Sequence, residues 1–201
     1  MKKLIPSFLT ILNLVCGCLA IALAFQFQFE AVLILVCLGV FFDFLDGLAA
    51  RALDAVTNFG KHLDSITDVI TSGVVPGIIV YQLFKLSGNK VSDFEVYAFG
   101  YDLIFSLSPI SFIAFLITIA SAIRLSKHNT LTRSDEFIGL PTPANAIFFA
   151  SLPVLINSDI LIDSKQIFLN NYFLIGSVIS SVILMNSPFR LFSFKVSQNS
   201  S

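Results

Sequence analysis

Six apolar stretches, roughly 5–26, 31–53, 59–83, 105–126, 142–162 and 169–187, run through this chain. Each is close to the ~20 residues that a helix needs to cross a bilayer. The expected fold class is therefore an all-α polytopic membrane protein with about six transmembrane helices. Composition agrees, since only 12% of the 201 residues are charged, against about a quarter in ordinary globular chains. The fifth stretch is the weakest, because Pro153 and Asp159 interrupt it. Met1-Lys2-Lys3 ahead of an apolar run has the look of a signal peptide, but the run continues past Cys18 and more spans follow, so a retained first helix is expected.

Other classes fall away quickly. A net charge of −1 argues against a nucleic-acid binder held by a basic surface. Cys16, Cys18 and Cys37 are odd in number and lie in apolar runs, so they read as buried small hydrophobes and not as a disulfide or zinc framework. No soluble domain or linker stands out: residues 1–190 read as one transmembrane domain and 191–201 as a short cytoplasmic tail. The longest connection, about 84–104, carries Asp93, Glu95, Tyr97, Tyr101 and Asp102 and reads as an interfacial loop.

Basic residues give the orientation. With the N-terminus in the cytoplasm, Lys2, Lys3, Arg51, Lys61, Arg124, Lys127, Arg133, Arg190 and Lys195 all fall on that side, and only Lys85, Lys90 and Lys165 fall outside. Both termini and the connection between the second and third spans are then cytoplasmic, in a multi-pass protein of the cell membrane.

Against this apolar background, four carboxylates require an explanation. Asp43 and Asp46 close the second span, and Asp64 and Asp68 open the third. An ionisable residue in such a segment costs at least a few kcal/mol and is by default a functional-site hypothesis. At about 100° per residue, Asp43, Asp46, Gly47, Ala50 and Arg51 share one helix face, as do Gly60, Asp64 and Asp68 on the next. Two helices facing each other would converge the four acids, and like charges that close need a cation to stay ionised. One hard divalent ion, or two, is the simplest occupant. Thr67 and Thr71 share the face of Asp64 and Asp68 and would line the same polar space. Asn13, polar within the first span, is expected to bond inside the bundle or near the site.

The residues Asp43-x2-Asp46-Gly47-x2-Ala50-Arg51-x8-Gly60-x3-Asp64-x3-Asp68 match, position for position, the signature of the CDP-alcohol phosphatidyltransferases. The chain resembles that family over its whole length. The resemblance implies exchange of the CMP of a CDP-linked lipid for the hydroxyl of a small alcohol. It implies that Asp43, Asp46 and Asp64 ligate divalent metal, Mg²⁺ or Mn²⁺ and two ions in number. Asp68 would touch metal and take the proton of the acceptor hydroxyl. Gly47, Ala50, Arg51, Thr57 and Gly60 would contact the nucleotide and its phosphates. Relatives usually carry Pro-Asn-x-x-Thr at the start of the first span; Pro6 and Thr10 match, and Ser7 stands where Asn is usual.

Pro6–Gly17, Ala122–Asn129 and Gly139–Ala144 further resemble the integral-membrane branch that uses L-serine as acceptor and CDP-diacylglycerol as donor. Arg124 is then a candidate partner for the serine carboxylate. A homodimer in the lipid bilayer is expected from the same resemblance, with no nucleic acid. Two alternatives stay open: the same reaction with glycerol phosphate, inositol phosphate or inositol, and a non-enzymatic cation channel or transporter.

Overall fold

Helices form across most of the length of each apolar run. The computed structural model describes residues 4–88, 92–98, 101–130, 139–157 and 165–187. The first two spans are α1 (Leu4–Phe25) and α2 (Phe29–Ala52), an antiparallel pair joined by a turn in which Phe27 takes a left-handed φ of 59°. Pro6 is tolerated in the first turn of α1 because N–H groups there have no partner inside the helix.

The third span is one rod of 29 residues, Asn58–Leu86. It consists of α3 (Asn58–Val69), a π-helical turn (Ile70–Val74) and α4 (Val75–Leu86). The interruption has a local cause. Pro76 lacks an N–H and cannot bond the Ser72 carbonyl one turn back, so the backbone widens there. Span-to-span contacts occupy the freed carbonyls: Thr118 Oγ1 donates to Gly73 O at 2.9 Å, and Ser121 Oγ lies 3.5 Å from Ser72 O. This rod is the centre of the bundle, since 67% of its most apolar stretch is buried, against 33%, 22% and 28% for the other three long spans. Val75, Ile79, Val80, Leu83 and Phe84 fill the core with Val32, Val36, Ile117, Phe149 and Leu174. The outward faces of the surrounding helices carry residues such as Phe8, Ile34, Phe44 and Ile119, which suit lipid contact.

The connection after α4 departs from the expected loop. It holds an antiparallel hairpin, β1 (Ser92–Ala98) paired with β2 (Tyr101–Leu107), with Ser92 opposite Leu107 and Ala98 opposite Tyr101. The fourth span consequently starts later than residue 105. Extended Ser108 leads into Pro109, whose fixed φ suits the first helical position; a 3-10 turn (Pro109–Ala114) then runs into α5 (Phe115–Thr130).

The fifth and sixth expected spans are α6 (Thr142–Asn157) and α8 (Asn171–Asn186), preceded in the latter case by the short α7 (Lys165–Phe168). At 16 residues each they are about 24 Å long, shorter than the four long spans. Helix α6 runs through Pro153; Asp159, Arg133, Arg190, Lys195, Lys90 and the tail at 191–201 lie outside the described residues. Gly139, with φ 76°, seats the chain ahead of α6 on the end of α8, where Leu140 N–H donates to Leu184 O at 3.0 Å. A Cβ at Gly139 would stand 2.5 Å from the Met185 carbonyl oxygen. The cysteines divide: Cys16 is buried, but Cys18 and Cys37 are exposed on the outer faces of α1 and α2, so the expectation of three buried thiols is corrected. In a bilayer a small apolar side chain can point outward without leaving an apolar medium.

Candidate active site

Helices α2 and α3 bring their acids together at the bundle end where α2 stops and α3 begins. One carboxylate oxygen from each of Asp43, Asp64 and Asp68 lies within 4.8 Å of the other two. Asp43 is within hydrogen-bonding reach of both Asp68 and Asp64. All three are half-buried, and Asp64 Oδ1 is buried with no hydrogen-bond partner. A hard divalent cation is coordinated by carboxylate oxygens in such an arrangement. The donor set is all carboxylate, an orphan oxygen is available, and three like charges gain from neutralisation, so the residues present fit a divalent ion.

Asp46 stands beside this triad without belonging to its tightest group. It is buried (6% exposed) and within electrostatic reach of Asp64. Its Oδ2 accepts a 2.6 Å hydrogen bond from Thr10 Oγ1 on α1. The predicted convergence of four acids thus takes the form of three acids in close contact and a fourth held from a third helix.

The link between the two acid-bearing helices is short and locally determined. Asp54 ends α2 with a φ of 50°, and Ala55 N–H returns to Ala50 O at 2.9 Å. Aspartate is among the few non-glycine residues that adopt this left-handed region readily. Thr57 then caps α3, its Oγ1 accepting from Gly60 N–H at 3.0 Å. Thr57, expected as a nucleotide contact, thereby also fixes the start of the helix that carries Asp64 and Asp68.

The small residues differ in their surroundings. A Cβ at Gly47 would meet nothing within 4 Å, so this face of α2 is open next to the acids. A Cβ at Gly60 would lie 3.1 Å from Thr57 Oγ1, so that glycine serves the cap as well. Ala50 is half-buried. Arg51 is exposed and folds back on its own helix, Nε donating to Gly47 O at 3.1 Å.

Arg124 approaches from α5. Its charge and that of Asp68 act on each other, and its Nε is buried without a hydrogen-bond partner. Thr67 and Thr71 are buried behind the acids; Thr71 Oγ1 donates to Thr67 O at 2.7 Å, and Thr67 Oγ1 has no partner. Asn13 is buried with neither amide atom bonded. The residue that sequence reasoning left without a role is Thr10. A signal for it exists, because Thr10, Asn13 and Gly17 share one face of α1 at helical spacing and are buried in an otherwise largely apolar segment.

The fold and the site define a polytopic helical membrane protein with a carboxylate cluster that fits a divalent ion across its second and third spans, and comparison with known proteins gives its family. The family model for CDP-alcohol phosphatidyltransferase matches residues 3–183, so the chain belongs to that family, a divalent-metal-dependent class. It is similar to the CDP-diacylglycerol–serine O-phosphatidyltransferase of Bacillus subtilis, 32% identical over 69% of this chain and 69% of the relative. The protein of the same name from Methanocaldococcus jannaschii is 34% identical over 77% of this chain and 62% of the relative. The archaetidylserine synthase of Methanothermobacter thermautotrophicus is 33% identical over 73% of this chain and 56% of that protein. The matched stretch therefore spans between about half and two thirds of these curated relatives.

Proposed function

We propose that this chain transfers the phosphatidyl group of CDP-diacylglycerol to the hydroxyl of L-serine, giving phosphatidylserine and CMP. The observation that carries the proposal is the convergence of Asp43, Asp64 and Asp68 from two helices at the family spacing. The relatives named above, two of them serine O-phosphatidyltransferases and one an archaetidylserine synthase, support serine as acceptor.

In this reading Asp43, Asp46, Asp64 and Asp68 hold two divalent ions, Mg²⁺ or Mn²⁺. Such ions, when bound, neutralise the pyrophosphate and ease departure of the leaving group. The open face at Gly47, with Ala50 and Gly60, admits the nucleotide close to the helix backbones. Arg51 and Thr57 sit at the mouth, where a guanidinium fork and a hydroxyl suit phosphate or nucleotide. Asp68 accepts the proton of the serine hydroxyl. The serine oxygen forms a bond to the phosphorus that carries the lipid, the bond from that phosphorus to the bridging oxygen breaks, and CMP departs with the electron pair. Arg124, within charge reach of Asp68 and with an unpartnered Nε, orients serine by its carboxylate. The excess of basic residues supports a cytoplasmic side for this site and both termini, and in this reading the chain works as a homodimer in the membrane.

The test is to supply purified protein in detergent, with Mg²⁺ or Mn²⁺ present, with CDP-diacylglycerol and a panel of L-serine, glycerol phosphate, inositol phosphate and inositol. CMP release with serine alone is the expected outcome. Release with another member of the panel and not with serine would reassign the acceptor, and no release with any would leave an ion-conducting role as the better reading.

A further inference from the structure

Thr10 lies 36 residues from Asp46, on a helix that carries none of the four acids. Its Oγ1 is 2.6 Å from Asp46 Oδ2 and 3.0 Å from the Pro6 carbonyl oxygen. A threonine hydroxyl has one proton to donate, so one acceptor must take it. The Pro6 carbonyl already faces the backbone N–H of Thr10 within the helix. The carboxylate is the stronger acceptor, and hydroxyl-to-carboxylate bonds run at about 2.5–2.7 Å, so the proton belongs to Asp46. Thr10 is 3% and Asp46 6% exposed, which leaves little room for water to compete.

Two further features keep this contact in place. A β-branched side chain has restricted χ1 in a helix, so the hydroxyl direction is held by the backbone. Gly17 and Gly39 allow α1 and α2 to close on the same threonine methyl of the third span: a Cβ at either would lie 3.0 Å from Thr71 Cγ2. Helix α1 is thereby seated about two turns from Thr10. The Gly47 backbone N–H also acts on the Asp46 carboxylate, so the group is held from both its own helix and its neighbour.

We propose that Thr10 is a positioning residue, which clamps Asp46 Oδ2 from α1 and so aims the carboxylate at the cation site shared with Asp43, Asp64 and Asp68. The proposal rests on Asp46 serving that site, as put forward above. It gives the first span a role in the chemistry that none of its own acids could supply.

The experiment measures Mn²⁺ binding to the full chain in detergent, by the loss of the free-ion electron paramagnetic resonance signal. It compares wild type, Thr10→Val, Thr10→Ser, Asp46→Asn and the Thr10→Val/Asp46→Asn double variant. Thr10→Val is expected to weaken Mn²⁺ binding by about 10- to 100-fold, the range for losing a hydrogen-bond partner of a metal ligand. Thr10→Ser, which keeps the hydroxyl, should stay within roughly threefold of wild type. In the Asp46→Asn background the valine should add nothing, because its effect runs through the carboxylate. Should Thr10→Val fail to elute as a single species, Thr10→Ala carries the same comparison. Wild-type affinity in Thr10→Val, or an undiminished valine effect in the Asp46→Asn background, would overturn the proposal while leaving the cation site intact. Wild-type protein that binds Mn²⁺ no better than Asp46→Asn would instead show that Asp46 does not serve the cation site of Asp43, Asp64 and Asp68, and the positioning role would go with it.

Discussion

Gly47→Ala separates what the fold needs at the site from what the ligand needs. Gly47 lies in α2 directly after Asp46, and its missing Cβ would meet no atom within 4 Å. A methyl there creates no clash, and alanine is favoured over glycine in a helix by up to about 1 kcal/mol. For a chain of this size that corresponds to a gain of about 2–4 °C in Tm. The same methyl occupies the open face beside the acids, where the nucleotide is proposed to approach. Overfilling a fitted space costs about 1–3 kcal/mol, or roughly 5- to 150-fold in affinity for CDP-diacylglycerol. The contrast is Gly39, about two turns earlier in α2, where a Cβ would stand 2.8 Å from Asn13 Oδ1 and 3.0 Å from Thr71 Cγ2. Alanine at Gly39 should therefore lower Tm, whereas alanine at Gly47 should hold or raise it. Thermal unfolding followed by size exclusion, together with KM for CDP-diacylglycerol, reads both effects. A Gly47→Ala protein with unchanged KM would refute the nucleotide slot, and one with lowered Tm would refute the open face.

Three other outcomes follow from the site. Asp68→Asn should retain CDP-diacylglycerol binding with metal yet lose turnover by about 10²–10⁴-fold, as general-base removal does; nucleotide binding lost as fully as in Asp64→Asn would make Asp68 a ligand only. Arg124→Ala should raise KM for serine by about 10- to 150-fold and leave the affinity for CDP-diacylglycerol nearly unchanged, and an unaltered serine KM would reduce Arg124 to a topological anchor. Cysteine at Asn58, with Cys16, Cys18 and Cys37 removed, should resist an impermeant thiol reagent added outside intact cells, and efficient labelling would invert the orientation.

Much of this architecture is legible in the sequence because a bilayer admits few solutions. The ends of α1 and α2 fall within about two residues of the apolar runs that predict them, and the acids appear on facing helices because a 3.6-residue period places them there. What the sequence conceals depends on contacts between distant segments. The π-helical turn needs Pro76, but also the hydroxyls of Thr118 and Ser121 from another span. The hairpin at Ser92–Leu107 depends on pairing two short segments across what reads as an interfacial loop and the start of the fourth span. The hydrogen bond to Asp46 from outside the two acid-bearing helices comes from Thr10, a residue with no acid near it in the chain. Lipid exposure of Cys18 and Cys37 is equally invisible to composition, because an apolar residue in a membrane helix can face the core or the solvent-like lipid at similar cost.

If the carboxylates of α2 and α3 hold divalent metal for a transfer from CDP-diacylglycerol to serine, both products depend on the ion. The direct measurement is product stoichiometry on metal-stripped protein, with CDP-diacylglycerol and L-serine present and Mg²⁺ or Mn²⁺ added back stepwise. The expected result is CMP and phosphatidylserine in equal amounts, appearing only with the ion and absent in Asp64→Asn. Equal turnover in the presence of excess chelator, or CMP released without phosphatidylserine, would contradict it.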